Sequence, residues 1–576
     1  MEAASYFDMV TGRAPAELRI DNVRIVDVFS DEVRLGSVCV GDGRILGFSK
    51  MEALDVFDGQ GAYLIPGLID GHVHIESSML CPARFAELVL PFGTTTIVAD
   101  PHEIANVKGM DGLRYMLEAS RELPLSVRLM LSSCVPALPI EDSGATLEAA
   151  DLAPMLSAPD VGGLAEMMNV PGLLDGAPDV LAKVGITRAA GKIVDGHAPM
   201  LSGRSLDAYV ALGVNTDHEC STPEELRERV ARGMYVLLRE GSAGREVKKL
   251  LPALTPGNHR RCLFCTDDRQ PADILERGHI NGILKMAVEG GMDSVDAVRM
   301  ATLNAAECYG MRDRGAIAPG LRADLVLVKD LKEFKVLACW AQGRLVAREG
   351  RMTEKLNMLW PGLLHSSVNI APLPERPFSV KVPSGKARVI GLQSHSLITE
   401  CRVQDVVTAD DGEVELADNP GLLKVAVIER HHATGKMGVG LLDAQYGLQN
   451  GAIATTIAHD SHNIVVAGDD EADMLLAVQE LERIGGGIVM VSKGEVLDEL
   501  SLPIGGLMSD QPADEVAQKL NELLRLACFH YRIWEGADAF MTLSFLALPV
   551  IPHFKITARG LFDSDTFSFV DVDAAK

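Results

Sequence analysis

No apolar run approaches the roughly 18 residues that a membrane-spanning helix needs, which excludes a span by hydropathy. The opening residues Met1-Glu2-Ala3-Ala4-Ser5 lack the basic-then-apolar order of a secretory signal. Positive charge is scarce. Lys and Arg number 54 against 80 Asp and Glu, a formal net charge of −26. A nucleic-acid partner would want a basic patch, so this balance argues against one and suits a small or neutral substrate. Cysteine pairing signals are missing as well. The ten Cys are scattered, and only Cys262 and Cys265 form a C-x-x-C, inside an expected strand and without a second pair. Buried thiols of a reduced, cytoplasmic protein are the expectation. No internal repeat or low-complexity tract appears. Gly485-Gly486-Gly487 does not belong to a G-x-G-x-x-G fingerprint and reads as a turn.

What is present is ordinary globular composition, 47% hydrophobic and 23% charged, over a length that fits about two to four domains. Residues 1–64 read as short strands and turns, with Gly41-Asp42-Gly43 as a hairpin signal. A matching β-rich patch lies at 315–364. Together they predict one small β-sandwich built from both flanks. Between them, over 65–314, strand and helix patterns alternate. Strand candidates fall at 64–69, 94–99, 127–132, 161–165, 192–195, 214–217, 235–238 and 262–265. Spacings of about 20 to 35 residues suit repeated βα units, and a (β/α)8 barrel is the economical closure. Residues 365–576 read as a separate C-terminal α/β or α+β domain.

The stretch Ile65-Pro66-Gly67-Leu68-Ile69-Asp70-Gly71-His72-Val73-His74 is an apolar strand ending in His-x-His. Residues i and i+2 of a strand share a face, so both imidazoles can reach one metal. Barrel active sites lie at the C-terminal strand ends. Read in order, those ends offer His72 and His74, then Glu166, His197, His218 with Glu219, and Asp267 with Asp268. Four His, a Glu and an Asp at one rim are about what a two-metal hydrolase needs. Asp267 and Asp268 compete for the inward position, because adjacent residues alternate faces. His102 and Glu103 end the second strand and could touch substrate. Cys134 ends the third. The pairs His431-His432 and His459 with His462 are polar clusters suited to metal binding or to closing the barrel mouth.

With these residues in hand, the chain resembles the adenine deaminases of the amidohydrolase superfamily over nearly its whole length. The specific marks are Ala99-Asp100-Pro101-His102-Glu103, Ser132-Ser133-Cys134-Val135-Pro136, Ala165-Glu166-Met167-Met168-Asn169, Gly196-His197-Ala198-Pro199, Thr216-Asp217-His218-Glu219 and Cys265-Thr266-Asp267-Asp268-Arg269. Arg430-His431-His432-Ala433-Thr434-Gly435 and Ala458-His459-Asp460-Ser461-His462-Asn463 mark the C-terminal part. The resemblance implies that His72, His74, Glu166, His197, His218 and Asp267 hold two divalent ions (Mn, Fe(II) or Zn). It further implies hydrolysis of adenine to hypoxanthine and ammonia in purine salvage, by a homo-oligomer. Asp267, with Asp268 as its rival, is the candidate to move the proton from water to the leaving amine. Glu219 would serve a ring nitrogen or support a metal-bound His. His102 and Glu103 would touch substrate or an extra ion, and Cys134 would contact substrate or only pack. Relatives that open cyclic amides usually carry a carbamylated Lys where Glu166 stands, and the chain lacks the Pro-Cys-x-x-Cys signature of the unrelated zinc deaminases. Lys192 reads as structural. The competing readings are an amidohydrolase acting on a modified purine or cyclic amide, and an inactive barrel scaffold.

Overall fold

Seven largely apolar runs and the short Thr216–Asp217 form eight parallel strands, covered on both faces. In the computed structural model they are Leu68–Val73, Thr94–Ala99, Ser126–Leu131, Val161–Met167, Ile193–Gly196, Thr216–Asp217, Tyr235–Arg239 and Cys262–Cys265. The structure describes residues 5–359, 362, 364, 365, 367–393, 398–534 and 538–576; residues 1–4 of the opening stretch lie outside them. The first five strands pair in order, as do the last three. The fifth meets the sixth where Asn215 N donates to Val194 O at 3.0 Å. The ring closes where Asp267 N donates to His72 O at 2.9 Å, beside a parallel bridge from Val73 to Asp267. Cys262 and Cys265 are buried free thiols on the eighth strand.

The first strand departs from the sequence reading over 64–69. Tyr63–Pro66 instead joins a nine-stranded sheet, where it pairs with Leu325–Val328 and Ala16–Asp27. The barrel strand starts afresh at Leu68. Gly67 makes the crossing possible: a Cβ there would stand 2.1 Å from Thr95 Oγ1. His72 is then the penultimate residue of the strand, and His74 lies just beyond its end.

The nine-stranded sheet takes strands from both flanks of the barrel. Its core holds Trp340 edge-on against Phe57, with ring centroids 5.0 Å apart. Downstream, eight strands from Lys386–Leu392 to Glu495–Ser501 form a second sheet. The helix Glu471–Ile484 packs on it, capped by the Asp470 side chain and ended by Gly485 at φ +78°. That left-handed C-cap suits glycine, so Gly485-Gly486-Gly487 is a helix stop and turn. Among the described residues no helix is long and apolar enough to cross a membrane.

The C-terminal sheet domain sits against the barrel mouth. Cys81 N donates to Ser509 O at 3.0 Å and Ser509 N to Met79 O at 2.8 Å. Beyond the third barrel strand, Asp142 receives Lys436 at 2.6 Å and Arg559 at 2.9 Å. Next to it, buried Glu141 faces Asp460 of the C-terminal domain. Burial first, and the Asp460 charge second, push the Glu141 carboxyl up to about 8. The folded value exceeds the unfolded one, so its contribution to stability is full below the unfolded value and is lost as pH rises through about 8. Glu141→Gln should therefore flatten the fall of the thermal midpoint from about pH 5 toward the alkaline side, up to about pH 8. An alkaline limb identical to wild type would refute this account of the interface.

Candidate metal centre and substrate cavity

Two buried aspartates stitch the strand ends that carry the site. Asp70 Oδ1 accepts from His72 N at 3.3 Å and Thr266 N at 3.1 Å, tying the first strand to the eighth. Asp217 Oδ1 accepts from Ala198 N at 3.2 Å and Glu219 N at 3.0 Å, tying the fifth to the sixth. Arg229 locks the second stitch. Its Nε donates to Asp217 Oδ2 at 2.8 Å and a terminal nitrogen to Ala198 O at 2.7 Å.

On this frame the six expected ligand residues converge. His72 Nε2 and His74 Nε2 stand 3.2 Å apart, and Asp267 Oδ1 lies 3.4 Å and 3.1 Å from them. Glu166 Oε1 lies 3.4 Å from His74 Nε2, while Oε2 lies 2.7 Å from His197 Nδ1 and 3.2 Å from His218 Nε2. Glu166 thus spans two groups of donors. Asp267 and Asp268 part company because Asp267 takes a left-handed backbone, φ +58°. Asp267 turns to the histidines, while Asp268 Oδ1 accepts from Ser77 Oγ at 2.5 Å and lines a cavity.

The donor set fits a divalent cation. His74 Nδ1 donates to Asp100 O at 2.9 Å, which leaves a bare lone pair on Nε2. That lone pair faces two carboxylates and another imidazole, an arrangement of acceptors that a cation between them reconciles. The carboxylates are ionised. Burial acts upward on Glu166, yet His197 and His218 hold it well below the usual range. Burial likewise acts on Asp267, which Arg239 and the two strand-end histidines hold well down. The effect on the histidines differs: burial lowers His218, but Glu166 carries it up to about 9, whereas burial and the neighbouring His218 leave His72 below its ordinary value.

Two residues, Arg239 and Asp100, join the site that the sequence reading does not place there, and His102 takes a definite position in it. Arg239 ends the seventh strand and reaches Asp267 Oδ2 at 2.8 Å and Glu219 Oε2 at 3.2 Å, with a further bond to Glu219 Oε1. The expected strand stopped one residue short, at Leu238. Extending the rule about strand ends by that residue would have found it. Asp100 and His102 cluster with His74 and Glu166, and His102 Nδ1 lies 3.4 Å from Glu166 Oε1. His102, expected at the substrate or at an extra ion, sits among the metal-type ligands, and Asp100 is visible as the residue after the second strand.

Two expectations for the substrate change. Cys134 does not line the cavity; it is buried among Leu131, Leu164 and Met167, with Sγ 3.0 Å from Ser133 Oγ. Glu219 is forked onto Arg239 through both oxygens, and such a carboxylate accepts hydrogen bonds rather than offering a proton. Lys192 Nζ donates to Ala158 O at 2.9 Å and Val161 O, at the far end of the strands.

Residues 63–346 match the amidohydrolase family and residues 396–568 the adenine deaminase C-terminal domain. The chain is 57% identical over 565 residues to an adenine deaminase of Nitratidesulfovibrio vulgaris strain DP4, covering 98% of each. It is 46% identical to adenine deaminase 2 of Carboxydothermus hydrogenoformans, again over 98% of each. The chain belongs to the adenine deaminase family. It is a metal-dependent hydrolase by that membership, and the clustered histidines and carboxylates are its candidate ligands.

The part matched to the adenine deaminase C-terminal domain carries both histidine pairs. His459 and His462 line the cavity with Glu76, Glu103, Asp268 and Phe545. His431 Nε2 donates to Ser461 O at 2.8 Å and so supports that loop, while His432 is exposed.

Proposed function

We propose that this protein hydrolyses adenine to hypoxanthine and ammonia. The convergence of His72, His74, Glu166, His197, His218 and Asp267 on one rim, beside a cavity lined by Asp268, Glu103 and Phe545, carries the reading. Two divalent ions held there would supply a hydroxide nucleophile near neutral pH.

Glu166 is placed to bridge the two ligand groups. Asp267, ionised and fixed by Arg239, takes the proton of the attacking water and passes it to the leaving nitrogen. The water oxygen bonds to C6, the C6–N bond breaks and ammonia departs. Attack on an aromatic ring also needs a proton donor at a ring nitrogen. Asp268 suits this better than Glu219, because burial and the Asp267 charge push its carboxyl above the usual range and it faces the cavity. Glu219 instead orients Arg239 and borders His218, 3.4 Å away.

The test is ammonia release from adenine by protein stripped of metal and reconstituted separately with Mn, Fe(II) and Zn, with metals per chain counted on the same samples. Stripped protein should be inactive, and activity should return in step with about two ions per chain. Full occupancy without ammonia release would sink the reading.

A further inference from the structure

Glu103 opens the helix His102–Ser120 and is only 2% exposed, yet its carboxylate lines the cavity. The C-terminal domain holds both of its oxygens. His459 Nδ1 lies 2.9 Å from Oε1, and His462 Nε2 bonds Oε2. The chain itself fixes the His462 tautomer. Its Nδ1 accepts from Ala458 N at 3.2 Å, so Nε2 carries the proton and donates to Glu103. A protonated Nε2 is no metal ligand. Glu103, His459 and His462 therefore form a carboxylate clamp, although they have the composition of a metal site. The clamp is anchored from behind by fully buried Arg430, which bonds His462 O and donates to Gly505 O and Ser367 O, each at 3.0 Å.

A carboxylate has about four lone-pair directions. The clamp uses two, His102 Nε2 stands 3.5 Å from Oε1, and the side of the carboxylate that lines the cavity offers the rest. The neighbouring wall is rich in apolar side chains: Phe545 stacks on His459 with centroids 4.6 Å apart, and Met79 and Leu507 extend the surface. This slot takes a planar ring whose edge offers a hydrogen-bond donor to an acceptor-only group. A free purine carries such an N–H on its imidazole half. A nucleoside has carbon in its place.

Resting on the deamination reading, we propose that Glu103, held by His459 and His462, accepts the imidazole N–H of an unsubstituted purine and so selects free bases over N9-substituted ones. His459 and His462 are positioning residues that act through Glu103.

The test uses metal-loaded full-length protein with adenine and 9-methyladenine, measuring binding by calorimetry and turnover separately. Wild type should prefer adenine by about 100-fold or more, because the substituted base leaves a buried acceptor unpaired. Glu103→Gln should narrow that ratio at least about tenfold, chiefly by losing adenine, with metals per chain unchanged. His462→Ala should narrow it too, and His462→Gln, which keeps an N–H donor, should restore it. A Glu103→Gln protein with the wild-type ratio overturns the proposal while adenine turnover stands. Adenine bound selectively without turnover overturns the deamination reading and keeps the Glu103 subsite. Binding of neither base overturns both.

Discussion

Asp267→Asn should lower adenine turnover about a thousandfold, within the range that a positioned acid–base group contributes. Asn keeps the shape but cannot take a proton. It also brings an amide that must face either the two histidines at 3.4 Å and 3.1 Å or Arg239 at 2.8 Å. Metals per chain tell the two consequences apart. Loss of kcat at full occupancy assigns the proton transfer to Asp267, and loss of metal assigns it chiefly to ligation. A variant with full metal content and kcat within about tenfold of wild type would exclude both roles and move the proton transfer to Asp268, which faces the cavity from the next position.

The barrel strands were legible because a strand buried on both faces must be apolar throughout, and such runs ended in His, Glu or Asp at regular intervals. The boundary at Gly67 was not legible. Residues on both sides of it are apolar and extended, and only the pairing partners tell sandwich strand from barrel strand. Arg239 was lost for the opposite reason: a charged residue after an apolar run looks like the start of a loop until its partners Asp267 and Glu219 are known. For Glu219, sequence alone leaves ring-nitrogen acid and support for a metal-bound His side by side, because the guanidinium across from it is far away along the chain. Distance along the chain hid the rest. His462 and Glu103 lie 359 residues apart, and no local pattern links them. The choice between Asp267 and Asp268 needed a backbone angle, since regular alternation would not have predicted a left-handed residue at that strand end.

Arg229→Met should destabilise the barrel by about 3–5 kcal/mol, the usual cost of removing one partner of a buried ion pair. Both Arg229 and Asp217 are fully buried. Met replaces much of the volume but leaves the Asp217 carboxylate with two backbone N–H donors, from Ala198 and Glu219, and the weak Cys220 thiol donor at 3.8 Å. The same substitution frees Ala198 O, so the stitch beside His197 and His218 loosens. Unfolding midpoints in denaturant and metals per chain should therefore fall together. Adding Asp217→Asn removes the stranded charge, so the double variant should be more stable than Arg229→Met alone, with a coupling energy readable from the cycle. Asn keeps one oxygen but has no guanidinium to brace it, so metal occupancy should recover less than stability does. Equal recovery of both would mean that the pair acts on the centre only through global stability. A midpoint unmoved by Arg229→Met would mean that these remaining donors alone satisfy Asp217.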